Sequence, residues 1–202
     1  MAYPTVSAPY GLKPVNLIGG QVFAGATRLM EIASGYATSI FYGDLVKRVT
    51  AGTIEKDTGT ATATPCGVFL GVQFTNGSTG QVQQQQFYPA SQSIASGTKI
   101  FAVVADDPDT LFQVVSCSAT TTVAGMGIAA IGSNIALIQT AGSTTTGNSA
   151  VAIDEGTQTT TNTLPIRIID VVRDTATGAD TFVEFIVKIN ATMHQYNNAT
   201  GI

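Results

Sequence analysis

The chain contains few of the residues on which most chemistry and most surface charge depend. Its 202 residues include no tryptophan, one histidine and two cysteines, and only 11% are charged, against about 25% in an ordinary soluble domain. Two cysteines exclude a disulfide framework, and we interpret Cys66 and Cys117 as small buried thiols in a reducing compartment. The formal net charge of −4 offers little cationic charge to phosphate groups, so we expect no nucleic-acid partner.

Long hydrophobic runs are also missing. The longest apolar stretch, around residues 101–105, falls far short of the roughly 20 residues that a membrane-spanning helix needs. We therefore expect no membrane partner. The first twenty residues carry Pro4, Pro9 and Pro14 and lack the apolar core of a secretory signal, so we also expect no export.

Apolar residues nevertheless make up 44% of the chain, which excludes disorder because a disordered chain combines low hydrophobicity with high net charge. Over residues 22–118, short runs rich in Val, Ile, Phe, Tyr and Thr alternate with Gly, Asp, Asn and Pro. This pattern is typical of strands separated by turns. It predicts a mainly β protein, an antiparallel β-barrel or sandwich, with long Thr/Gly-rich loops.

The clearest local prediction is a hairpin formed by residues 164–172 and 182–189, with its turn within residues 174–178. Apolar and polar side chains alternate along the second strand, which predicts that one face is buried and the other wetted. The predicted buried face holds Val183, Phe185, Val187 and Ile189.

The composition divides the chain into three parts. Residues 1–20 form an extended N-terminal arm, because prolines fix φ and remove hydrogen-bond donors. Residues 21–190 form a single β-rich domain, in which the Thr/Ser/Gly-rich residues 119–163 are a possible extended excursion. Residues 191–202 form a polar C-terminal tail, the part of a domain that is usually least ordered.

Few residues are candidates for chemistry. His194 is the only histidine and lies in the polar tail, so we expect it to be solvated or packed rather than catalytic. Asp106, Asp107 and Asp109 could hold a hard cation through carboxylate oxygens, although we favour a strand-ending turn around Pro108 as the explanation of the cluster. We expect no cofactor and no enzymatic activity.

Several segments of the chain together resemble a known family. They are APYGLKPVNLIGG near the start, SIFYGDLVKRV, TGTATATPCGVFLGVQF, ADDPDTLFQV and GSTTTGNSAVAIDEGTQTTTNTLPIRIIDVV. In this order they resemble the capsid decoration, or cement, proteins of tailed bacteriophages, especially marine and cyanobacterial phages. The resemblance extends from about Pro9 to Ile189.

The resemblance implies a virion structural protein that is assembled in the host cytoplasm and docks on the outer surface of the phage head. Its partners would be the major capsid protein and copies of itself, often as a homotrimer, and it would stabilise the shell by bridging neighbouring subunits. We expect the arm to carry this contact, with residues 139–163 as the second candidate. The arm residues that we single out are Tyr3, Pro4, Tyr10, Leu12, Pro14 and Val15.

Three alternatives are considered beside this one. A phage tail or fibre component would share the β-rich, Thr/Gly-rich composition. A major shell subunit is disfavoured by the chain length and by the lack of a long helix. A small carbohydrate-binding module or an esterase would lack the tryptophan platform or the histidine base that such sites generally use.

Overall fold

In the computed structural model, the structure describes residues 9–117, 126–176 and 182–201. These ranges are mainly β, with two short 3-10 helices at Ile128–Ala130 and Arg173–Thr175. No helix within them is long and apolar enough to cross a membrane. The strands are β1 Lys13–Leu17, β2 Arg28–Ile32, β3 Leu45–Arg48, β4 Ile54–Lys56, β5 Gly67–Thr75, β6 Val82–Gln85, β7 Ile100–Ala105, β8 Thr110–Cys117, β9 Asn134–Thr140, β10 Ala150–Thr159, β11 Ile166–Val171 and β12 Glu184–Ile189.

The first sheet closes on itself. Its strands follow the order β3, β4, β2, β7, β5, and β5 returns to pair with β3. All of these pairings are antiparallel except β2 with β4, which is parallel. β6 adds to the free end of β5 as an edge strand. Closure into a barrel removes the unpaired edges of the ring and encloses one apolar core.

The second sheet closes in the same manner. Its ring runs β8, β10, β9, β11, β12 and back to β8. The pairing of β8 with β10 is parallel and the others are antiparallel. β1, which precedes the first barrel in the chain, pairs antiparallel with β8. The chain therefore starts in the second barrel, builds the first, and then completes the second.

The two barrels are two copies of one topology. In each, the first strand pairs parallel with the third and antiparallel with the fifth, and the second and fourth strands pair antiparallel. The fourth strand carries a bulge at the same place in both, between Phe69 and Gly71 in β5 and between Ile168 and Asp170 in β11. The shared register allows each residue of one ring to be matched to a residue of the other.

This match is defined by residues of the fifth strand that pair with a neighbouring strand on each side. Val104 in the first barrel and Val187 in the second each pair with a first-strand residue and with the residue before the bulge. The matched triplets are Arg28–Val104–Phe69 and Phe112–Val187–Ile168. The repeat was not visible in the sequence, where the matched residues differ.

The predicted class, a mainly β protein with a β-barrel or sandwich, is confirmed. The predicted hairpin is present, since β11 pairs antiparallel with β12, and all four residues of the predicted buried face are buried. The prediction that the other face is wetted is wrong, because Glu184 and Asn190 on that face are buried too. Residues 177 and 178 of the predicted turn lie outside the described residues. Residues 21–190 hold two closed rings, and the two parallel pairings were not predicted. Of the possible excursion at 119–163, residues 119–125 lie outside the described ranges, whereas β9 and β10 belong to the second barrel.

The C-terminal tail is packed against the first barrel instead of extending from the protein. The side chain of Gln195 accepts from the amide of Arg48 at 2.8 Å and donates to the carbonyl of Arg48 at 3.1 Å. The hydroxyl of Tyr196 donates to Asp106 at 2.6 Å. These contacts add a short segment to the outside of the ring where β3 ends.

One buried carboxylate connects the two barrels. Asp44 and Ser149 are both buried, and the carboxylate of Asp44 accepts from the Ser149 hydroxyl at 2.6 Å. It also accepts from the Phe41 amide at 2.8 Å and from the ammonium of Lys56 at 2.9 Å. Since Ser149 lies just before β10 of the second barrel and the other groups belong to the first, the network ties the two rings together.

We expect Asp44→Ala to lower the free energy of unfolding by about 3–5 kcal/mol, because it leaves a buried ammonium, that of Lys56, without its counter-ion. The matched control is Glu31→Ala, which breaks the exposed Lys99–Glu31 pair and should cost less than about 1 kcal/mol. Urea denaturation of both variants measures the difference. Equal losses of unfolding free energy in the two variants would show that Asp44 contributes no more to stability than an exposed ion pair does.

Two glycines allow the arm to cross the first barrel. Gly11 and Gly43 have φ of 81° and 92°, and the amide of Leu12 donates to the Gly43 carbonyl at 3.0 Å. A Cβ on Gly43 would come within 2.9 Å of the Leu12 backbone nitrogen. Positive φ and this close approach both require glycine.

Gly43→Ala should therefore destabilise the protein by about 2–4 kcal/mol, from left-handed strain and from the backbone clash together. Gly52→Ala is the matched control, because Gly52 has φ of 80° with no atom near the added Cβ, and should cost only about 1 kcal/mol. Thermal unfolding of the two variants side by side tests this. A Gly52 variant as unstable as the Gly43 variant would exclude the clash as the cause.

Candidate functional site

The described part of the arm is anchored in the protein's own core. Leu12 is fully buried and belongs to the apolar cluster of the second barrel. The hydroxyl of Tyr10 donates to Glu184 on β12 at 2.7 Å. Our prediction that Leu12 contacts the shell is therefore wrong, and Tyr10 serves mainly as an internal anchor, because both residues face the second barrel.

The anchor of Tyr10 is a small polar cluster at the edge of this barrel. Glu184 is buried and accepts from the Gln113 side chain at 2.8 Å as well as from Tyr10. The Lys13 ammonium lies 4.0 Å from the centre of the Tyr10 ring, a cation–π contact. Burial, and then the neighbouring Glu184 carboxylate, raise the pKa of Tyr10, so the phenol stays protonated and donates.

The remaining arm residues are placed differently. Pro14 is half-buried in β1 opposite Phe112, and Val15 projects from the same strand with 42% of its surface exposed. Tyr3 and Pro4 lie outside the described residues. Of the predicted contacts that the structure describes, Val15 is the one that is freely accessible.

An uncharged loop follows the anchor. Between Lys13 and Arg28 the sequence contains no charged residue, and we call residues 18–27, which join β1 to β2, the uncharged loop. Ile18 and Val22 in this loop are exposed by 49% and 78%. The loop has a defined backbone, because the Leu17 amide donates to the Gln21 carbonyl at 2.8 Å and the Ile18 amide to the Asp109 carbonyl at 3.0 Å.

Ile18 and Val22 lie on one turn, in which Asn16 also bridges to Val22, and exposed apolar side chains on a held backbone are available for a protein contact. Sequence reasoning selected the start of this segment but assigned the contact to residues that are internal anchors. Nothing in the sequence singles out this loop, because charge is also absent from residues 58–98 and 110–153. Its exposure could not be read from the sequence, since apolar uncharged runs are usually buried.

The second predicted contact, residues 139–163, is mostly part of the fold. β10 is a ring strand, and the loop before it contacts the first barrel, where Gln86 donates to the Asn148 side chain at 2.7 Å. The amide of Tyr42 also donates to the Gly147 carbonyl at 3.0 Å. This loop therefore serves as an internal bridge between the barrels.

The three aspartates form a turn and do not converge on a cation. Asp106 contacts Arg28 and Tyr196, at 3.0 and 2.6 Å. Asp107 accepts from the amide of Asp109, whose own carboxylate pairs with Lys188 at 2.6 Å. Within the part of the chain that the structure describes, no three His, Cys, Asp or Glu side chains are placed to hold a metal ion. The metal-site candidate is thus replaced by a turn with separate partners.

His194 is packed, which is one of the two roles, solvated or packed, that we expected for it. It is fully buried, and its Nδ1 accepts from the Tyr196 amide at 3.2 Å. Its Nε2 is buried with no hydrogen-bond partner among the described residues. Burial lowers the pKa of His194, while Asp106 opposes this shift and Lys188 adds to it. The ring is therefore neutral near pH 7 and lies away from solvent.

The two thiols differ. Cys66 is buried as predicted, with its Sγ 3.9 Å from the Met30 sulfur, and burial raises the pKa of the Cys66 thiol to about 12. Cys117 is only partly buried, which corrects our prediction. Burial and the nearby carboxylates of Asp154 and Glu155 raise the pKa of Cys117 too. Both thiols are therefore weak nucleophiles near pH 7.

The chain was compared with protein-family models, with curated proteins and with solved structures, and none of them matches it.

The lowered pKa of His194 predicts that acid weakens the fold. Stability is complete above the ordinary histidine pKa of 6.5. It falls as the pH drops below that value, because the unfolded chain binds a proton that the buried ring resists. We expect the melting temperature of the wild type to fall more than that of His194→Gln between about pH 8 and about pH 5. Equal losses in the two proteins would contradict this assignment.

Proposed function

We propose that the chain is a capsid decoration protein that docks on the outer surface of a bacteriophage head and bridges neighbouring shell subunits. The observation that carries the proposal is the uncharged loop, in which the apolar side chains of Ile18 and Val22 are exposed although the backbone is held. The resemblance of the chain's segments to phage decoration proteins supplies the partner, the major capsid protein.

The energetics favour docking on a large assembly. Burying a Val or Ile side chain contributes about 1.5–3 kcal/mol, so the loop alone gives a modest affinity once the cost of association is subtracted. Many copies on one shell act together, and each copy that bridges two subunits gains from the second contact through effective concentration. Modest contacts per copy therefore suffice to hold a shell closed.

The position of the loop suits a bridging role. It leaves β1, which is paired in the second barrel, and enters β2, the first strand of the other ring. A force applied at the loop therefore acts on a strand of each sheet. The strands resist separation through the hydrogen bonds of their ladders. Low surface charge also reduces the repulsion between copies packed closely on one shell.

The test is binding to purified capsids of the phage that encodes the chain. Val22→Asp places a charge in the centre of the loop and should weaken co-sedimentation with capsids by at least about tenfold, since a desolvated charge opposes docking. Ile128→Asp is the matched control, because Ile128 is 58% exposed and lies outside the loop; it should bind as the wild type does.

Circular dichroism of both variants confirms that they are folded. Wild-type protein that binds isolated tails but not heads would refute the proposal in favour of a tail component. A Val22 variant that binds heads like the wild type would remove the loop from the interface.

A further inference from the structure

Each barrel has a place for an additional strand beside the first strand of its ring. In the second barrel this place is filled, because β1 lies along the first half of β8 on the side where β10 pairs with its end. The antiparallel pairs are Lys13–Gln113, Pro14–Phe112, Asn16–Leu111 and Leu17–Thr110. The filled place shows what such a site accepts, a short extended segment of the arm.

The matching place in the first barrel follows from the shared register. Arg28 corresponds to Phe112, so the residues that correspond to the β1 contacts are 26–29. Among the residues that the structure describes, β2 meets β4 only at Ile32, leaving residues 26–29 without a strand partner on that side. All four are exposed, and Leu29 has 59% of its surface accessible.

A cavity borders residues 26–28 on the side of β7, opposite the unfilled place. Its volume is about 390 Å³, and Ala26, Thr27 and Arg28 line it together with Asp106, Asp107, Pro108 and Tyr196. Arg28 is held at this cavity by its ion pair with Asp106 and by contact of its guanidinium with the Tyr196 ring. The Arg28 side chain is therefore already positioned before a strand is added, which lowers the entropic cost of adding one.

We infer that residues 26–29 receive the amino-terminal arm of a second copy of this chain, as an added antiparallel strand. The filled place accepts residues 13–17 of this arm, which shows that a segment of the arm fits such a place. β1 is committed to the second barrel, whereas the eight residues before Pro9 span about 26 Å when extended. These eight residues carry no charged side chain, so they bring no further charge to an edge on which the charge of Arg28 is already paired with Asp106.

Disulfide trapping between two different variants tests the contact. Cys117→Ser removes the more exposed native thiol, while buried Cys66 is kept. One protein then carries Thr5→Cys in the arm and the other carries Thr27→Cys at the open place. Mixed under mild oxidation, they should form a disulfide-linked heterodimer. Val82→Cys, on the edge strand β6 with 63% exposure of the native residue, is the control and should not be trapped.

Self-association provides a second measurement that needs no new thiol. Sedimentation of the wild type should give a weight-average mass above the 20.8 kDa of one chain. Leu29→Lys should weaken the association at least about tenfold, because a lysine on a strand edge opposes strand addition. Deletion of residues 2–8 should have the same effect, and Val82→Lys should have none.

The two proposals fail separately. A wild-type protein that stays at the mass of one chain, or a mixture without heterodimer, would overturn the arm exchange and leave capsid docking through Val22 untouched. A disulfide formed within one chain carrying both cysteines, with no heterodimer in the mixture, would also overturn it. Leu29→Lys could also lose capsid binding while the wild type shows no self-association. That result would overturn the arm exchange, because residues 26–29 would then bind a shell subunit.

Discussion

The joint between the two barrels depends on a carboxylate that has no contact with water. Burying an ion is costly unless it is paired with an opposite charge and hydrogen-bonded. Asp44 meets this condition with a hydroxyl from the second barrel, an amide from its own loop and the ammonium of Lys56. Because the donors come from both rings, the carboxylate has all of these hydrogen bonds only when the rings are joined. The buried charge therefore restricts how the two rings pack against each other.

The repeated topology explains why the sequence predicted the elements but not their arrangement. Strands and the β11–β12 hairpin follow from alternation and turn residues, which are local. Ring closure depends on pairs such as Ile32 with Ile54 and Ser116 with Ile153, which no local pattern encodes. The matched positions Arg28 and Phe112 show how far the side chains of the two copies differ. A position in the ring restricts the register of its strand more strongly than it restricts the chemistry of its side chain.

The candidate site was predicted in part for the same reason. Proline content located the arm, whereas nothing in the sequence singled out the uncharged loop after it. Burial of Leu12 depends on a cavity built from residues more than a hundred positions away, such as Val114 and Val151. The carboxylates near Pro108 were read correctly as a turn, because Asp107 bonds within its own segment. Their distant partners, Arg28 and Lys188, could not be assigned from spacing along the chain.

The placement of β1 has a consequence for the order in which the protein is made. This strand leaves the ribosome first, yet its partner β8 begins almost a hundred residues later. During translation the first barrel can close while the leading segment still has nothing to pair with. Such a long-range pairing belongs to the last, slow events of folding. The leading segment therefore lacks its partner β8 throughout synthesis of the first barrel.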